Sequence, residues 1–257
     1  MHEVKFFDFE RYLERIRAFD GPRFAVSTAA TLQHRGRAYP ILTVRSQPDG
    51  GDAPTLLVLA GVHGDERAGI VAVPTILEAW SAKRVRLVVV TPVNPVGASR
   101  RTRAGATGKD INRDFLLFAT PEARAVRDVF EEVRPAFVIS LHEGPQLGTF
   151  MFTNRHVEAP LATALCDALA ARGTPLATRD YFGRSLRPPG WAPATPTTRA
   201  VWGFGARWLQ QKATIAYSED RGVPEVVLES SSRTTDDAAR IRPHVDLVAA
   251  VAERLTG

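Results

Sequence analysis

Two histidines and one glutamate have the residue types of a metal-binding site. His63 and Glu66 are three positions apart, so both side chains converge within one helical turn or tight loop. The distant His142 would complete a set of two imidazoles and one carboxylate, a ligand set of catalytic zinc in which water takes the fourth position. A His and a Glu at this spacing also occur by chance on solvated surfaces, so the pair indicates a metal site only in combination with His142. Because Cys166 is the lone cysteine, a multi-cysteine zinc site is excluded.

A further carboxylate, Glu229, ends an apolar run at residues 226–228. Beside a metal it could take a proton from bound water and deliver it to a leaving amine. Its alternative role is that of an ion-pair partner for one of the many arginines. The serines at 230–232 lack the G-x-S-x-G elbow of a nucleophile, and we expect them to turn the chain into the last helix.

A basic segment at residues 100–113 lies between the presumed metal ligands. Arg103 and Arg113 could face an anionic substrate, since a guanidinium group binds a carboxylate with two parallel hydrogen bonds. A phosphate-binding loop is excluded, because Arg103 stands where the first glycine of that motif belongs and Asp110 replaces its Ser or Thr. The alternative is a solvated basic loop.

The elements that must position these residues follow from the hydrophobic pattern. Apolar runs of strand length cover residues 24–29, 41–44, 55–60, 86–91, 136–141 and 225–228, and helical patterns cover residues 6–18, 121–133, 156–171, 236–255 and a stretch that ends at Trp80. This alternation predicts an α/β fold, a single domain over residues 1–257 with a mixed, mostly parallel twisted sheet and helices on both faces. The candidate residues follow strand ends, where open parallel sheets bind ligands.

Residues 176–217 break the alternation with clustered prolines, glycines and aromatic residues. Such a segment is often a functional loop that walls a pocket, and we predict a specificity-loop region here. An ordered surface excursion with a small core of its own is the alternative. The four remaining histidines lack comparable partners and are predicted to lie on the surface: His2, His34, His156 and His244.

Composition limits the class of protein. The chain has 257 residues, a net charge of +5 and 44% hydrophobic residues, which suits one globular domain. We find no membrane-spanning run and no secretory leader, so we expect a cytoplasmic protein that does not bind membranes. The basic residues do not alternate with aromatic residues in one patch, so we expect no nucleic-acid partner. The oligomeric state stays open.

In chain order, the combined motifs resemble the zinc carboxypeptidase family, which includes carboxypeptidases A and B, bacterial murein-peptide amidases and the succinylglutamate desuccinylase and aspartoacylase branch. The motifs that carry the resemblance are His63-x-x-Glu66, Arg100-x-Thr102-Arg103, Asp110-x-Asn112-Arg113, His142 and the late Glu229. Their order matches from about residue 55 to the final helix. The resemblance implies the same α/β fold, as a compact catalytic domain.

The resemblance also assigns a metal and a mechanism. It implies one Zn²⁺ per chain, bound by His63, Glu66 and His142. Glu229 would act as general base and then as general acid. Arg103 would stabilise the oxyanion of the tetrahedral intermediate, as preorganised positive charge does in many hydrolases.

Substrate contacts follow from the same motifs. Asn112 and Arg113 match the pair that holds a substrate carboxylate, and Arg100 would be a subsidiary anion contact. Asp110 matches the acid that orients a ligand imidazole, here that of His63.

The implied activity is that of a zinc-dependent hydrolase, a metallopeptidase or amidase, that cleaves an amide bond next to a free carboxylate with a zinc-activated water. Its substrate would be a peptide or an N-acyl amino acid. Two alternatives stay open, an N-acyl amino acid deacylase of the desuccinylase and aspartoacylase type and a non-catalytic carboxylate-binding module. The role of Glu143 is also open, as is the choice between Tyr181 and Tyr217 for the family's mobile tyrosine.

Overall fold

The structure is a computed structural model that describes residues 4, 6–48 and 51–256. The strands are β1 (Phe24–His34), β2 (Arg37–Ser46), β3 (Thr55–Ala60), β4 (Arg86–Thr91), β5 (Phe137–Gly144), β6 (Phe150–Thr153), β7 (Trp191–Pro193) and β8 (Glu225–Ser231). The helices are α1 (Phe9–Arg17), α2 (Arg67–Ala79), α3 (Pro95–Arg100), α4 (Pro121–Val133), α5 (Ala159–Ala171), α6 (Pro196–Trp208), α7 (Thr214–Asp220) and α8 (Asp237–Thr256). A short 3-10 helix covers Ile111–Arg113.

The described strands form one mixed sheet in the order β1-β2-β4-β3-β5-β8-β6-β7. The parallel pairs are β3 with β4, β3 with β5, β5 with β8 and β6 with β7. The remaining pairs, β1 with β2, β2 with β4 and β6 with β8, are antiparallel. Every residue of the central strands β3 and β5 is buried, which is typical of parallel strands covered on both faces. The predicted α/β fold with a mixed, mostly parallel sheet is confirmed.

Helices cover the two faces of the sheet in separate layers. On one face α8 packs against α2 and α5. On the other face α7 packs against α4, where the rings of Tyr217 and Phe130 lie 5.2 Å apart. Two residues of β5, an odd number of positions apart, mark the two faces, since Ser140 contacts Thr214 of α7 whereas Glu143 binds Arg240 of α8. No helix of the described residues combines the length and the apolar character needed to cross a membrane.

Capped helix starts fix where the chain leaves the sheet. Asn94 follows β4, and its side chain accepts the backbone N–H of Gly97 at 2.8 Å, so that α3 begins at Pro95. Thr120 caps α4 in the same way by accepting the N–H of Ala123 at 3.3 Å. These caps satisfy backbone donors that a helix leaves unpaired at its start.

The structure also contains elements that the hydrophobic pattern did not predict. Within residues 176–217 it places β7, α6 and the start of α7. None of the described side chains of α6 is buried, so this helix has no apolar stripe facing the core that periodicity could reveal. Strand β6 escaped detection because it has only four residues.

The prediction that His244 lies on the surface is wrong. His244 lies on α8, is 0% exposed and pairs through Nε2 with the Ser230 hydroxyl at 3.0 Å. A buried polar side chain needs such a partner, and Ser230 is brought to it only by the packing of α8 on β8. His34 and His156 are half-buried, and His2 lies outside the described residues.

Candidate active site

The structure brings His63, Glu66 and His142 together at the carboxyl ends of β3 and β5. His63 and Glu66 lie in the turn between β3 and α2, and His142 lies near the end of β5. This turn packs directly on α3: a Cβ at Gly64 would lie 2.0 Å from the carbonyl carbon of Gly97. Only glycine fits this approach, and the close packing fixes the His63 side of the cluster.

The three side chains converge on one small space. Glu66 Oε1 lies 2.7 Å from His63 Nδ1, and Glu66 Oε2 lies 2.7 Å from His142 Nδ1. The two Nδ1 atoms are 3.2 Å apart, and the candidate ligand atoms all lie within 4.8 Å of one another. Two nitrogens bound to one tetrahedral zinc ion would be about 3.3 Å apart, given Zn–N bonds of about 2.0 to 2.1 Å.

The hydrogen-bond partner of His63 determines which nitrogen can bind a cation. Its Nε2 lies 3.1 Å from Asp110 Oδ1, a contact that in the neutral ring places the proton on Nε2 and leaves Nδ1, near Glu66 and His142, as the nitrogen for a cation. Both histidines are buried, with exposures of 3% and 1%. Lone pairs that converge in a buried space suit a divalent cation, so the residues fit a zinc ion by donor type and spacing.

Charges in this cluster stabilise its ionised forms. Burial alone would raise the pKa of Glu66, but the charges and hydrogen bonds of His142 and His63 outweigh it and hold this pKa well below its usual range. Burial also opposes ionisation of Asp110, yet His63 and then Arg103 keep the pKa of Asp110 well below its usual value. The site therefore holds anionic carboxylates ready for a cation.

Arg103 reaches this cluster from the segment after α3. Its Nε donates to Asp110 Oδ2 at 3.0 Å, and one terminal nitrogen donates to Glu66 Oε1 at 3.2 Å. The backbone of Arg103 is held by Asn94, whose side-chain nitrogen donates to the Arg103 carbonyl at 3.1 Å. Sequence reasoning missed this role of Asn94, although its position three residues after β4 was a signal.

Glu229 lies beside His142 in the register of β5 and β8. It is 6% exposed, and burial together with the negative charge of Glu66 raises the pKa of Glu229 to about 8. Gln146, which sequence reasoning missed, donates to the Glu229 carbonyl at 3.0 Å and so ties the loop after β5 to this strand. Glu229 is thus a buried carboxyl group next to the cluster, with a pKa suited to proton transfer near neutral pH.

Asn112 and Arg113 lie on the short 3-10 helix that follows Asp110. Asn112 Oδ1 accepts the backbone N–H of Thr214 at 3.1 Å, so the amide side chain is oriented by the start of α7. Arg113 is exposed, and its guanidinium bonds the Asn112 carbonyl at 3.0 Å. Both residues flank Asp110, and the charge of Arg113 contributes to the lowered pKa of Asp110.

Arg100 lies apart from this group. Its guanidinium is 2.9 Å from His34 Nε2, at the end of β1, although Arg100 ends α3 and the segment that carries Arg103 follows directly. The structure thus brings Arg103 to the cluster and directs Arg100 elsewhere.

The two candidate tyrosines also have different surroundings. Tyr181 is 39% exposed and approaches the end of β5, where a Cβ on Gly144 would lie 3.1 Å from its ring. Burial and then the charges of Glu229 and Glu66 raise the pKa of Tyr181. Tyr217 is buried among aromatic rings, and its hydroxyl donates to Glu131 at 2.7 Å. Tyr181 is therefore the tyrosine near the cluster.

Glu143 faces away from the cluster and anchors it from behind. Its Oε2 accepts the backbone N–H of Ala68 in α2 at 2.8 Å, and its Oε1 pairs with Arg240 at 2.7 Å. The backbone N–H of Glu143 donates to Glu66 Oε2 at 3.2 Å. Sequence reasoning missed Arg240, because the hydrophobic pattern of a helix does not show which of its charged residues contacts a buried acid.

Comparisons with known proteins identify similar sequences. Residues 52–178 match the model of the succinylglutamate desuccinylase/aspartoacylase catalytic domain. Murein peptide amidase A of Escherichia coli (strain K12) is 29% identical over 116 residues, which cover 34% of this chain and 48% of that protein. Carboxypeptidase 2 of Trichophyton rubrum is 27% identical over 133 residues, 46% of this chain and 25% of that protein. The match to the amidase thus spans about half of its length.

Solved structures share the fold across almost the whole chain. A provisionally assigned metallopeptidase of Shewanella amazonensis SB2B superposes with a TM-score of 0.75 at 20% identity, covering 96% of this chain and 93% of that one. A metallo-carboxypeptidase of Pseudomonas aeruginosa, in complex with (2-guanidinoethylmercapto)succinic acid, gives a TM-score of 0.66 at 18% identity over 96% and 68% of the two chains. The matched domain model and the curated relatives support the carboxypeptidase A-like metallopeptidase family, which includes the murein-peptide amidases and the succinylglutamate desuccinylase/aspartoacylase branch, and the solved structures show the shared fold.

Proposed function

We propose that this protein is a zinc-dependent hydrolase that cleaves an amide bond next to a free carboxylate. The observation that carries the proposal is the convergence of His63, Glu66 and His142 beside the buried carboxyl group of Glu229. One zinc ion per chain would be held by the two Nδ1 atoms and the carboxylate. When bound, zinc lowers the pKa of a coordinated water and polarises the scissile carbonyl.

Glu229 moves the protons in this mechanism. It accepts a proton from the attacking water while the new C–O bond forms at the carbonyl carbon. It then delivers that proton to the amine nitrogen as the C–N bond breaks. The raised pKa of Glu229 favours the first step, because a more basic carboxylate takes a proton from water more readily.

Arg103 supplies positive charge where the carbonyl oxygen becomes an anion. Its guanidinium is held by Asp110 and Glu66, so its position is set before the reaction begins. Preorganised charge of this kind is typically worth about 3 kcal/mol of transition-state stabilisation. Asp110 in turn keeps the His63 ring in the tautomer that presents Nδ1.

Asn112 and Arg113 would bind the carboxylate of the substrate. The Thr214 N–H occupies Asn112 Oδ1, which leaves the amide nitrogen of Asn112 as the donor for a ligand. Arg113 is exposed and adds a charged donor beside it. Residues 176–217 include Tyr181 near the cluster and the start of α7, which supports a role of this region in substrate selection.

The substrate class can be tested with matched compounds. The zinc-loaded protein is incubated with peptides that have a free C-terminal carboxylate and with the same peptides as C-terminal amides, and product release is followed by chromatography. We expect hydrolysis of the free acids and a kcat/KM about a hundredfold lower for the amides, since charge-assisted hydrogen bonds are lost. Zinc binding without hydrolysis of any compound would contradict the enzyme proposal and favour a carboxylate-binding module.

A deacylase is the second candidate, favoured by the match to the desuccinylase/aspartoacylase domain. N-acyl amino acids and murein peptides therefore belong in the same panel as C-terminal Lys, Phe and Glu peptides. A kcat/KM for N-acyl amino acids that exceeds the values for all peptides would assign the deacylase. Cytoplasmic localisation stays a prediction.

A further inference from the structure

A polar cavity of about 380 Å³ lies on the face of the sheet covered by α2 and α8. Four arginines line it: Arg67, Arg101, Arg233 and Arg240. Ser232 and two threonines, at 234 and 235, add hydroxyl groups. The lining also contains the acids Asp65 and Asp237, so four guanidinium groups stand against two carboxylates among the described lining residues. This described part of the lining therefore carries more positive than negative charge.

Arg67 is a buried charge in this cavity that lacks a carboxylate partner among the described residues. It is 6% exposed, and one of its terminal nitrogens donates to the Ala98 carbonyl at 2.8 Å. Its Nε has no hydrogen-bond partner, and no carboxylate of the described chain lies within ion-pair distance of its guanidinium. The face of the Phe7 ring lies 5.0 Å from this guanidinium. A buried charge without a carboxylate partner is costly, so an anion in the cavity would relieve this cost.

The other lining groups leave room for an anion. Arg233 is exposed and has no hydrogen bond or ion pair among the residues that the structure describes. Arg240 is held in place by Glu143 at 2.7 Å, and Asp237 already accepts the backbone N–H of Val4 at 3.1 Å. The first residues of α2 and α8, Arg67 and Asp237, both line the cavity, and the positive ends of these two helices favour an anion.

The cavity adjoins the candidate active site through the backbone. Asp65 directly precedes the ligand Glu66, and Arg233 follows Glu229 by four residues, a distance of about 13 Å along an extended chain. Glu143 joins the two sites, because its carboxylate binds Arg240 while its N–H donates to Glu66. The cavity and the cluster are thus supported by the same segments of the backbone.

We propose that this cavity binds an oxyanion, a carboxylate or phosphate group, at a subsite separate from Asn112 and Arg113. Two sources share this chemistry: a second anionic group on the acyl side of the substrate, and a free anion such as inorganic phosphate. Binding itself does not depend on the proposed hydrolase function, whereas the substrate source rests on it.

Binding is tested by calorimetric titration of inorganic phosphate and of succinate at constant ionic strength. The full chain carries Arg113→Ala, which weakens the other carboxylate site. We expect one remaining site whose Kd rises about tenfold on adding Arg233→Gln, the loss of one charge-assisted hydrogen bond. The matched control is Arg254→Gln near the far end of α8, which should leave this Kd unchanged. Equal Kd values for the two variants, or no remaining site, would overturn the proposal.

The source of the anion is distinguished by hydrolysis of two peptides that carry Glu or Gln immediately before the scissile bond. If the substrate supplies the anion, Arg233→Gln raises KM about tenfold for the Glu peptide and less than twofold for the Gln peptide. If a free anion binds, added phosphate changes the turnover of both peptides in the wild type and of neither in Arg233→Gln. If neither peptide is hydrolysed, the proposed function fails while the titration still decides the subsite.

Discussion

The two faces of β5 and β8 contain different chemistry, although their residues alternate along the same strands. On the face toward α7, His142 and Glu229 carry the proposed metal site and proton transfer. The next residue of each strand faces α2 and α8, where Glu143 pairs with Arg240 and Ser230 pairs with His244. Because strand residues alternate between faces, a residue proposed to take part in the reaction and a residue that holds the structure in place are direct neighbours in the sequence.

The comparison predicts opposite effects for neighbouring residues of β8. Glu229→Gln should keep stoichiometric zinc, measured by metal analysis, and lower kcat about a thousandfold, because it removes the group that moves protons. Ser230→Ala is the matched control on the other face. It should lower the free energy of unfolding by about 1 kcal/mol through loss of the His244 partner and change kcat less than twofold. Retained turnover in Glu229→Gln would refute the assigned role.

Arg103 and Arg100 offer the same kind of contrast within four residues. Arg103→Ala should lower kcat about a hundredfold, because its charge lies at Glu66 and Asp110. Arg100→Ala should leave kcat and KM within twofold, because its guanidinium contacts His34. A large rise of KM in Arg100→Ala would instead support the substrate contact expected from sequence.

His244, on the face toward α2 and α8, should make the free energy of unfolding depend on pH. Burial, with the positive charges of His142 and Arg240, lowers the pKa of His244 to about 3. Above about pH 6.5 the imidazole is neutral in both folded and unfolded chains, so its contribution to stability is complete. Between about pH 6.5 and pH 3 only the unfolded chain binds the proton, and stability is lost as the pH falls.

Denaturant unfolding of the wild type and of His244→Gln at several pH values measures this loss. The stability advantage of the wild type should shrink by about 1.4 kcal/mol per pH unit below about pH 6. Parallel stability curves for the two proteins would show that His244 does not titrate on unfolding.

Substitutions of Tyr181 and Tyr217 test which of the two tyrosines belongs to the active site, and their expected effects are the smallest. Tyr181→Phe should lower kcat/KM about fivefold, the loss of roughly one hydrogen bond, with little change in stability. Tyr217→Phe should leave kcat/KM unchanged and lower the free energy of unfolding by about 1 kcal/mol, because it removes the bond to Glu131. A lower kcat/KM in Tyr217→Phe and an unchanged kcat/KM in Tyr181→Phe would instead place Tyr217 in the active site.

Much of this architecture is predictable from the sequence because its signals are local. Strands 55–60 and 86–91 and helix 121–133 have the bounds that hydrophobic patterning predicts. Parallel strands place their carboxyl ends at one edge, so residues that follow separate strands could be expected to meet. The cluster of His63 with Glu66 and His142 is of this kind.

The remainder depends on tertiary contacts that no local pattern encodes. The direction of Arg100 toward His34 and the burial of His244 against Ser230 result from packing between distant segments. The cavity lined by Arg67 and Arg233 likewise joins residues far apart in the chain. Helix α6 has no buried stripe among its described side chains, so this helix could not be predicted from amphipathic periodicity.

The central claim is that hydrolysis depends on a metal held by His63, Glu66 and His142. It is tested most directly by removing metal with a chelator, adding zinc back in steps, and measuring hydrolysis and bound zinc in the same samples. Our account predicts no turnover in the metal-free protein and full recovery at one zinc per chain. Undiminished turnover without metal would contradict it.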